Sequence, residues 1–121
     1  MEENKTIVDK LIETLEGLDY PVFRQGSMSQ GQQYPNAFFT YWNGSTDDGS
    51  HYDNRAIKII WEFDVNFYAT SPNLVEEQLL AAKAALTEKG FIVSGVGYDV
   101  ASDEPTHTGR GFEAVFIELE T

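Results

Sequence analysis

Residues 56–69, AIKIIWEFDVNFYA, constrain this chain more than any other segment. Ile57, Ile59, Trp61, Phe63, Val65 and Phe67 hold alternate positions, with Lys58, Ile60, Glu62, Asp64, Asn66 and Tyr68 between them. Successive side chains of a strand point to opposite faces, so a period of two predicts a strand with one buried and one largely wet face. At about 3.3 Å per residue the run would reach roughly 45 Å, far beyond the usual strand of about 5 or 6 residues. Such a strand is expected to project beyond its own domain. Projecting hairpins commonly meet a neighbour, because backbone and apolar side chains would otherwise stay exposed.

Two helices are predicted on either side of it. Over residues 5–17, Ile7, Val8, Leu11, Ile12 and Leu15 recur at three- and four-residue spacings, with Lys10, Glu13, Thr14 and Glu16 opposite. Asn4 or Thr6 can cap the start and Gly17 can end it. A second helix begins at Ser71 or Asn73 as cap, with Pro72 in the first turn and Glu76 complementing the positive end, and stops at Gly90. Its apolar positions Val75, Leu79, Ala82 and Leu86, with Leu80 and Ala85 beside them, suit close approach to a sheet. Further strands are expected near 21–24, 37–42, 91–100 and 110–119.

The resulting order, α-β-β-β-α-β-β, predicts a two-layer α+β fold: a mainly antiparallel sheet with helices packed on one face. Residues 1–121 read as one domain with flexible loops at 25–36, 43–55 and 101–109. If the first three strands form a meander and the second helix crosses over, loops 25–36 and 101–109 share one end. The 43–55 loop then lies alone at the other.

Charge excludes several functions. Eight Lys and Arg stand against 20 Asp and Glu, a net charge of −12 among 121 residues, which repels phosphate backbones and anionic lipids. Neither nucleic-acid binding nor membrane binding is expected. The acidic start MEENKTIVDK is unlike a signal peptide, and no apolar run approaches a membrane span. With no cysteine, disulfides, thiolate metal sites and cysteine nucleophiles are excluded.

Residues 42–54, WNGSTDDGSHYDN, gather Asp47, Asp48, His51 and Asp53 and look at first like a ligand cluster. Calcium needs acids at alternating positions, a central Gly and a distal Glu. Asp47-Asp48-Gly49 is adjacent and the Glu is missing, so a solvated, turn-rich loop is the better reading. Zinc would require His51 and His107 to converge with Asp53 or Asp103, yet the topology puts the histidines at opposite ends. Gly26-Ser27-Met28-Ser29-Gln30-Gly31 lacks the spacing and context of a nucleophile elbow. Gly95-Val96-Gly97 lacks the third glycine of a dinucleotide fingerprint and reads as a strand bulge or bend. Glu62 and Asp64 lie two apart on one strand face, as a catalytic carboxylate pair would, or as residues of a wet face or subunit contact. The aromatic row Phe38, Phe39, Tyr41, Trp42, Trp61, Phe63 and Phe67 reads as core rather than pocket. No catalytic, cofactor or metal residues are assigned, and the chain is expected not to be an enzyme.

The amphipathic N-terminal segment, Pro21-Val22-Phe23 with its polar loop, Tyr34-Pro35-Asn36-Ala37-Phe38-Phe39-Thr40-Tyr41, the acidic loop and AIKIIWEFDVNFYATSP form a pattern. With the helix 74–89, Gly90-Phe91 and the segment 107–116, HTGRGFEAVF, it resembles small tail-completion proteins of long-tailed bacteriophages and prophages. These form the tail terminator and tail-to-head joining group. The likeness spans nearly the whole chain but carries no invariant chemical motif. It implies a structural subunit that is monomeric before assembly and a hexameric ring in the virion, meeting the tail tube protein and head connector proteins. DNA would pass through the ring without specific binding, helped by an acidic lumen. The implied location is the virion, and host cytoplasm before assembly. On this reading Asp47, Asp48, His51 and Asp53 form an assembly loop, and Lys58, Glu62, Asp64 and Tyr68 a subunit-contact strand. Two alternatives stay open: a small-molecule-binding regulatory domain using the aromatic face, and a hydrolase using carboxylates such as Asp47, Asp53, Glu62 or Asp64.

Overall fold

The computed structural model describes residues 6–24, 35–52, 55–102 and 105–119, with the backbone alone described for 45–52 and 55–57. Along the chain run α1 (Ile7–Glu16), β1 (Val22–Arg24), β2 (Ala37–Tyr52), β3 (Arg55–Ala69), α2 (Pro72–Glu88), β4 (Ile92–Val93), β5 (Tyr98–Val100) and β6 (Thr108–Leu119). The strands form one sheet in the order β1-β2-β3-β6-β4, with β5 also pairing β6. The fold is α+β, and both helices lie against one face.

The alternating strand is the centre of this sheet. β3 pairs antiparallel with β2 on one side and with β6 on the other, the second ladder running from Lys58↔Leu119 to Ala69↔Thr108. Its odd-numbered residues Phe63, Val65 and Phe67 are almost fully buried under the helices, beside Phe39 of β2 and Phe112 and Ala114 of β6. Ile7, Leu11 and Leu15 of α1 and Val75, Leu79, Ala82 and Leu86 of α2 close that layer from above. Aromatic rings meet at angles there, Phe39 and Phe67 at 4.6 Å and Phe91 and Phe116 at 5.0 Å between centroids. Lys10 of α1 extends its ammonium over the Phe116 ring, 4.5 Å from its centre, at the rim.

The helix ends follow local chemistry. Thr6 and Asp9 form a capping box: the Asp9 amide donates to Thr6 Oγ1 at 3.0 Å, and the Thr6 amide to Asp9 Oδ2 at 3.2 Å. Ser71 caps α2 by accepting from the Leu74 amide. Its first turn holds no acid, so the expected electrostatic help from Glu76 does not reach the helix end. Gly90 follows the last turn with φ 101°, a conformation that glycine adopts without a Cβ clash.

Several expectations need correction. Residues 43–52 and 55 are not a loop: β2 runs on to Tyr52, which pairs with Arg55. The turn-forming residues are absorbed by register shifts between Asn43 and Ser45, Asp48 and Ser50, and Ser50 and His51. A long partner strand offers backbone partners that outweigh the weak strand propensity of Gly, Asp and Ser. The first three strands are no meander either, because β1 runs parallel to β2, Val22 opposite Phe39 and Arg24 opposite Tyr41. The expected strand over 91–100 is broken into β4 and β5 around Gly95 and Gly97, both with positive φ, as a bend there requires. β6 starts at Thr108, inside the expected 101–109 loop. Of the 25–36 loop, residues 25–34 lie outside the described residues. The two loop ends that were expected to share one end do so: His107 Nε2–H donates to the Pro35 carbonyl at 2.8 Å.

Gly109 and Gly111 of β6 let neighbouring side chains cross the strand. A Cβ at Gly109 would lie 2.6 Å from the Tyr68 ring, and one at Gly111 would overlap Asn66 Oδ1 and sit 2.9 Å from the Val65 carbonyl oxygen. Gly111→Ala is therefore expected to destabilise the fold by about 1–3 kcal/mol, the usual cost of overpacking, read as a lowered urea midpoint. In an Asn66→Ala background the same substitution should cost less, because one of its two clashes is gone. Equal cost in both backgrounds would show that Asn66 does not impose the glycine.

Candidate functional site

Burying the odd residues of β3 turns its even residues to the other face of the sheet, which no helix covers among the described residues. Strand register then sets the rows on this open face. Trp42, Asp64 and Glu113 form one, Thr40, Asn66, Gly111 and Tyr98 the next, and Glu62, Val115 and Ile92 another. Toward the hairpin tip follow Ile60 with Ile117 and Lys58 with Leu119. Large apolar side chains here stay in water: Ile92 is 52% and Leu119 66% exposed, with Trp42, Tyr98 and Ile117 also exposed. A neighbouring set of exposed apolar groups on one face marks a surface built for contact.

The expected contact residues Lys58, Glu62, Asp64 and Tyr68 all share this face. They do not share one environment. Tyr68 stacks on Phe38 at 5.4 Å, and Phe38 also meets Phe23 and His107 edge-on, so the end near Pro35 is a closed aromatic cluster. Glu62 and Asp64 lie nearer the middle, and Asp64 pairs directly with Glu113. Like charges opposite one another across strands oppose pairing, so this row stores repulsion that a cation would relieve. Thr40 and Asn66 are buried polar residues on the same face, and Thr40 Oγ1 has no hydrogen-bond partner among the described residues.

The expected assembly residues lie further out. Asp47 pairs with Ile60, Asp48 with Ile59 and His51 with Ala56, while Asp53 lies outside the described residues. His51 sits near the hairpin tip and His107 next to Thr108, which pairs with Ala69 at the other end of β3. Among the described residues no group of three or more His, Cys, Asp or Glu is placed to hold a metal ion. No helix among them is long and apolar enough to cross a membrane.

Three side chains of the site were not singled out from the sequence: Tyr98, Ile92 and Glu113. They meet at the interruption between β4 and β5, where residues 94–97 face only Phe112 and Glu113 between the flanking pairs Val93↔Ala114 and Tyr98↔Gly111. The interruption is held from the helix side. Lys83 Nζ donates to the Gly95 carbonyl, Arg110 Nη2 donates to the Val96 carbonyl at 3.3 Å, and Arg110 Nη1 meets Asp99 Oδ1 at 2.7 Å. Gly97, at φ 94°, packs where a Cβ would lie 2.8 Å from Leu79 Cδ2. The Gly95-Val96-Gly97 segment was the one available signal, and it showed a bend but not what the bend would adjoin.

Partial burial pushes the Tyr98 phenol above its usual pKa, and the nearby carboxylates of Asp64 and Glu113 add to the shift. A phenol with a raised folded pKa contributes stability that is present below the unfolded value of 10.0. That contribution is lost as pH rises through the folded value. Difference absorbance between wild type and Tyr98→Phe should report the late titration, and Glu113→Gln or Asp64→Asn should move it toward lower pH. An unchanged midpoint in both variants would remove the carboxylates as a cause. No protein-family model and no curated protein matches this chain.

Proposed function

We propose that the chain is a non-enzymatic structural subunit of a phage or prophage virion, forming a ring at the tail end that joins tail to head. One observation carries the reading: the long β2–β3 hairpin contributes to a sheet face that no helix covers among the described residues and whose apolar side chains stay in water. β1 pairs with β2 only at Phe39–Tyr41, so the rest of β2 is an edge strand among the described residues. The opposite edge is the interrupted β4/β5. A ring requires two unlike surfaces on each subunit, and these two edges are unlike. The resemblance of the sequence to tail-completion proteins motivates the reading, and the acidity suits a lumen that lets DNA pass without binding it.

The partners on this reading are further copies of the chain, six to a ring on assembly and monomeric before it, together with the tail tube protein and head connector proteins. The virion is the proposed location, with host cytoplasm before assembly. Of the aromatic side chains that a small-molecule-binding domain would use, Phe39, Phe63 and Phe67 fill the layer between sheet and helices, at most 1% exposed, whereas Phe38 and Trp42 lie on the opposite face. That packing favours the assembly reading over a ligand pocket there.

In a phage or lysogen encoding the chain, a null allele is expected to yield filled heads and complete tails that remain separate in electron micrographs. The wild-type chain supplied in trans should restore joined particles. Ile117→Asp, a change on the exposed face, should fold normally by circular dichroism yet fail to restore them. Joined, infectious particles in the null background would refute the reading.

A further inference from the structure

The interruption between β4 and β5 leaves a pocket of about 260 Å³, open to solvent. Ligand sites for small molecules usually span about 300–1,000 Å³ and enclose most of their guest. A half-open pocket of this size fits one side chain better than a metabolite. Its lining combines the apolar side chains of Ile92, Val96, Phe112 and Val115 with Ser94, the Gly95 and Gly97 backbone, the Tyr98 ring and Glu113. The lip is held in place by the Lys83 and Arg110 contacts to the Gly95 and Val96 carbonyls, so Val96 stays 66% exposed without hanging free.

Charge narrows the guest. Among the described residues no cation pairs with Glu113, its cross-strand neighbour is Asp64, and the chain as a whole carries −12. A neutral apolar guest would desolvate Glu113 without compensating it, whereas a cation would relieve the Asp64–Glu113 repulsion. A guanidinium suits the rim better than an ammonium. It stacks on an aromatic ring and donates in one plane to a carboxylate, and its methylene stem can lie on apolar walls.

We propose that the break between β4 and β5 is a socket for an arginine side chain of a basic partner protein, its stem against Ile92, Val96 and Val115 and its guanidinium between Tyr98 and Glu113. The contact is independent of ring formation, because it needs only one chain and one guest. Occupation neutralises the row that opposes strand pairing, and it anchors the partner at the sheet edge where the backbone ladder is interrupted.

The test uses the intact chain and two blocked tripeptides, acetyl-Gly-Arg-Leu-amide and the same peptide with neutral citrulline in place of arginine. Amide NMR shifts are expected at Val96, Tyr98, Glu113 and Val115 with the arginine peptide. The citrulline peptide should bind about tenfold more weakly, as loss of a charge-assisted hydrogen bond would produce. Glu113→Gln should weaken the arginine peptide similarly while leaving the melting temperature equal or higher, and Val96→Ser serves as a second variant in the exposed lip. Equal binding of both peptides, shifts elsewhere on the surface, or indifference to both variants would overturn the socket. Concentration-dependent shifts at the same residues without peptide, abolished by Val96→Ser, would identify a second copy of the chain as the guest and overturn the basic partner.

Discussion

Pairing on both sides of β3 is the constraint on which the rest of the molecule depends. An interior strand must satisfy its backbone on two ladders at once, and β2 and β6 supply them along most of its length. Because its side chains alternate, burial of Phe63, Val65 and Phe67 beneath α1 and α2 leaves no freedom in the placement of Glu62, Asp64, Asn66 and Tyr68. A slip of one residue would move three aromatic or aliphatic groups into water and an acid, an amide and a phenol into the core. The hydrophobic layer and the exposed face are therefore two consequences of one register.

The same geometry explains why glycine recurs on β6. Tyr68 and Asn66 lean across their neighbour, and Gly109 and Gly111 provide the space. On the edge beyond, Gly95 and Gly97 turn the chain out of the ladder while Leu79, Lys83 and Arg110 hold the bend against the helix layer. One interrupted edge and one bulged edge both resist indiscriminate strand addition, as edges of soluble proteins commonly do. The proposed ring contacts use these two unlike edges, and the proposed arginine socket lies where the interrupted edge meets the open face.

The relation between acidity and apolar exposure gives this face its character. Isolated apolar residues on a surface mean little, but Trp42, Ile92, Tyr98, Ile117 and Leu119 share a face with Glu62, Asp64 and Glu113. Carboxylates among apolar side chains disfavour contact with an identical acidic surface and favour a basic one. On the proposed reading, that selectivity would keep monomers apart until a complementary surface is presented.

Local sequence determined the alternating strand, both amphipathic helices, the Gly90 stop and the two-layer α+β class, and narrowed the caps to Asn4 or Thr6 and to Ser71 or Asn73, because periodicity and capping act within a few residues. It also placed Lys58, Glu62, Asp64 and Tyr68 on one face, since strand alternation is local. It failed at residues 43–52, where Gly, Asp and Ser signalled a turn but a long neighbouring strand supplied the pairing that their own propensity lacks. The parallel β1, the meeting of Asp64 with Glu113, and the approach of Tyr98 to both were decided only in the tertiary structure. Register between distant strands depends on the summed burial of whole faces, and no short stretch of sequence contains that sum.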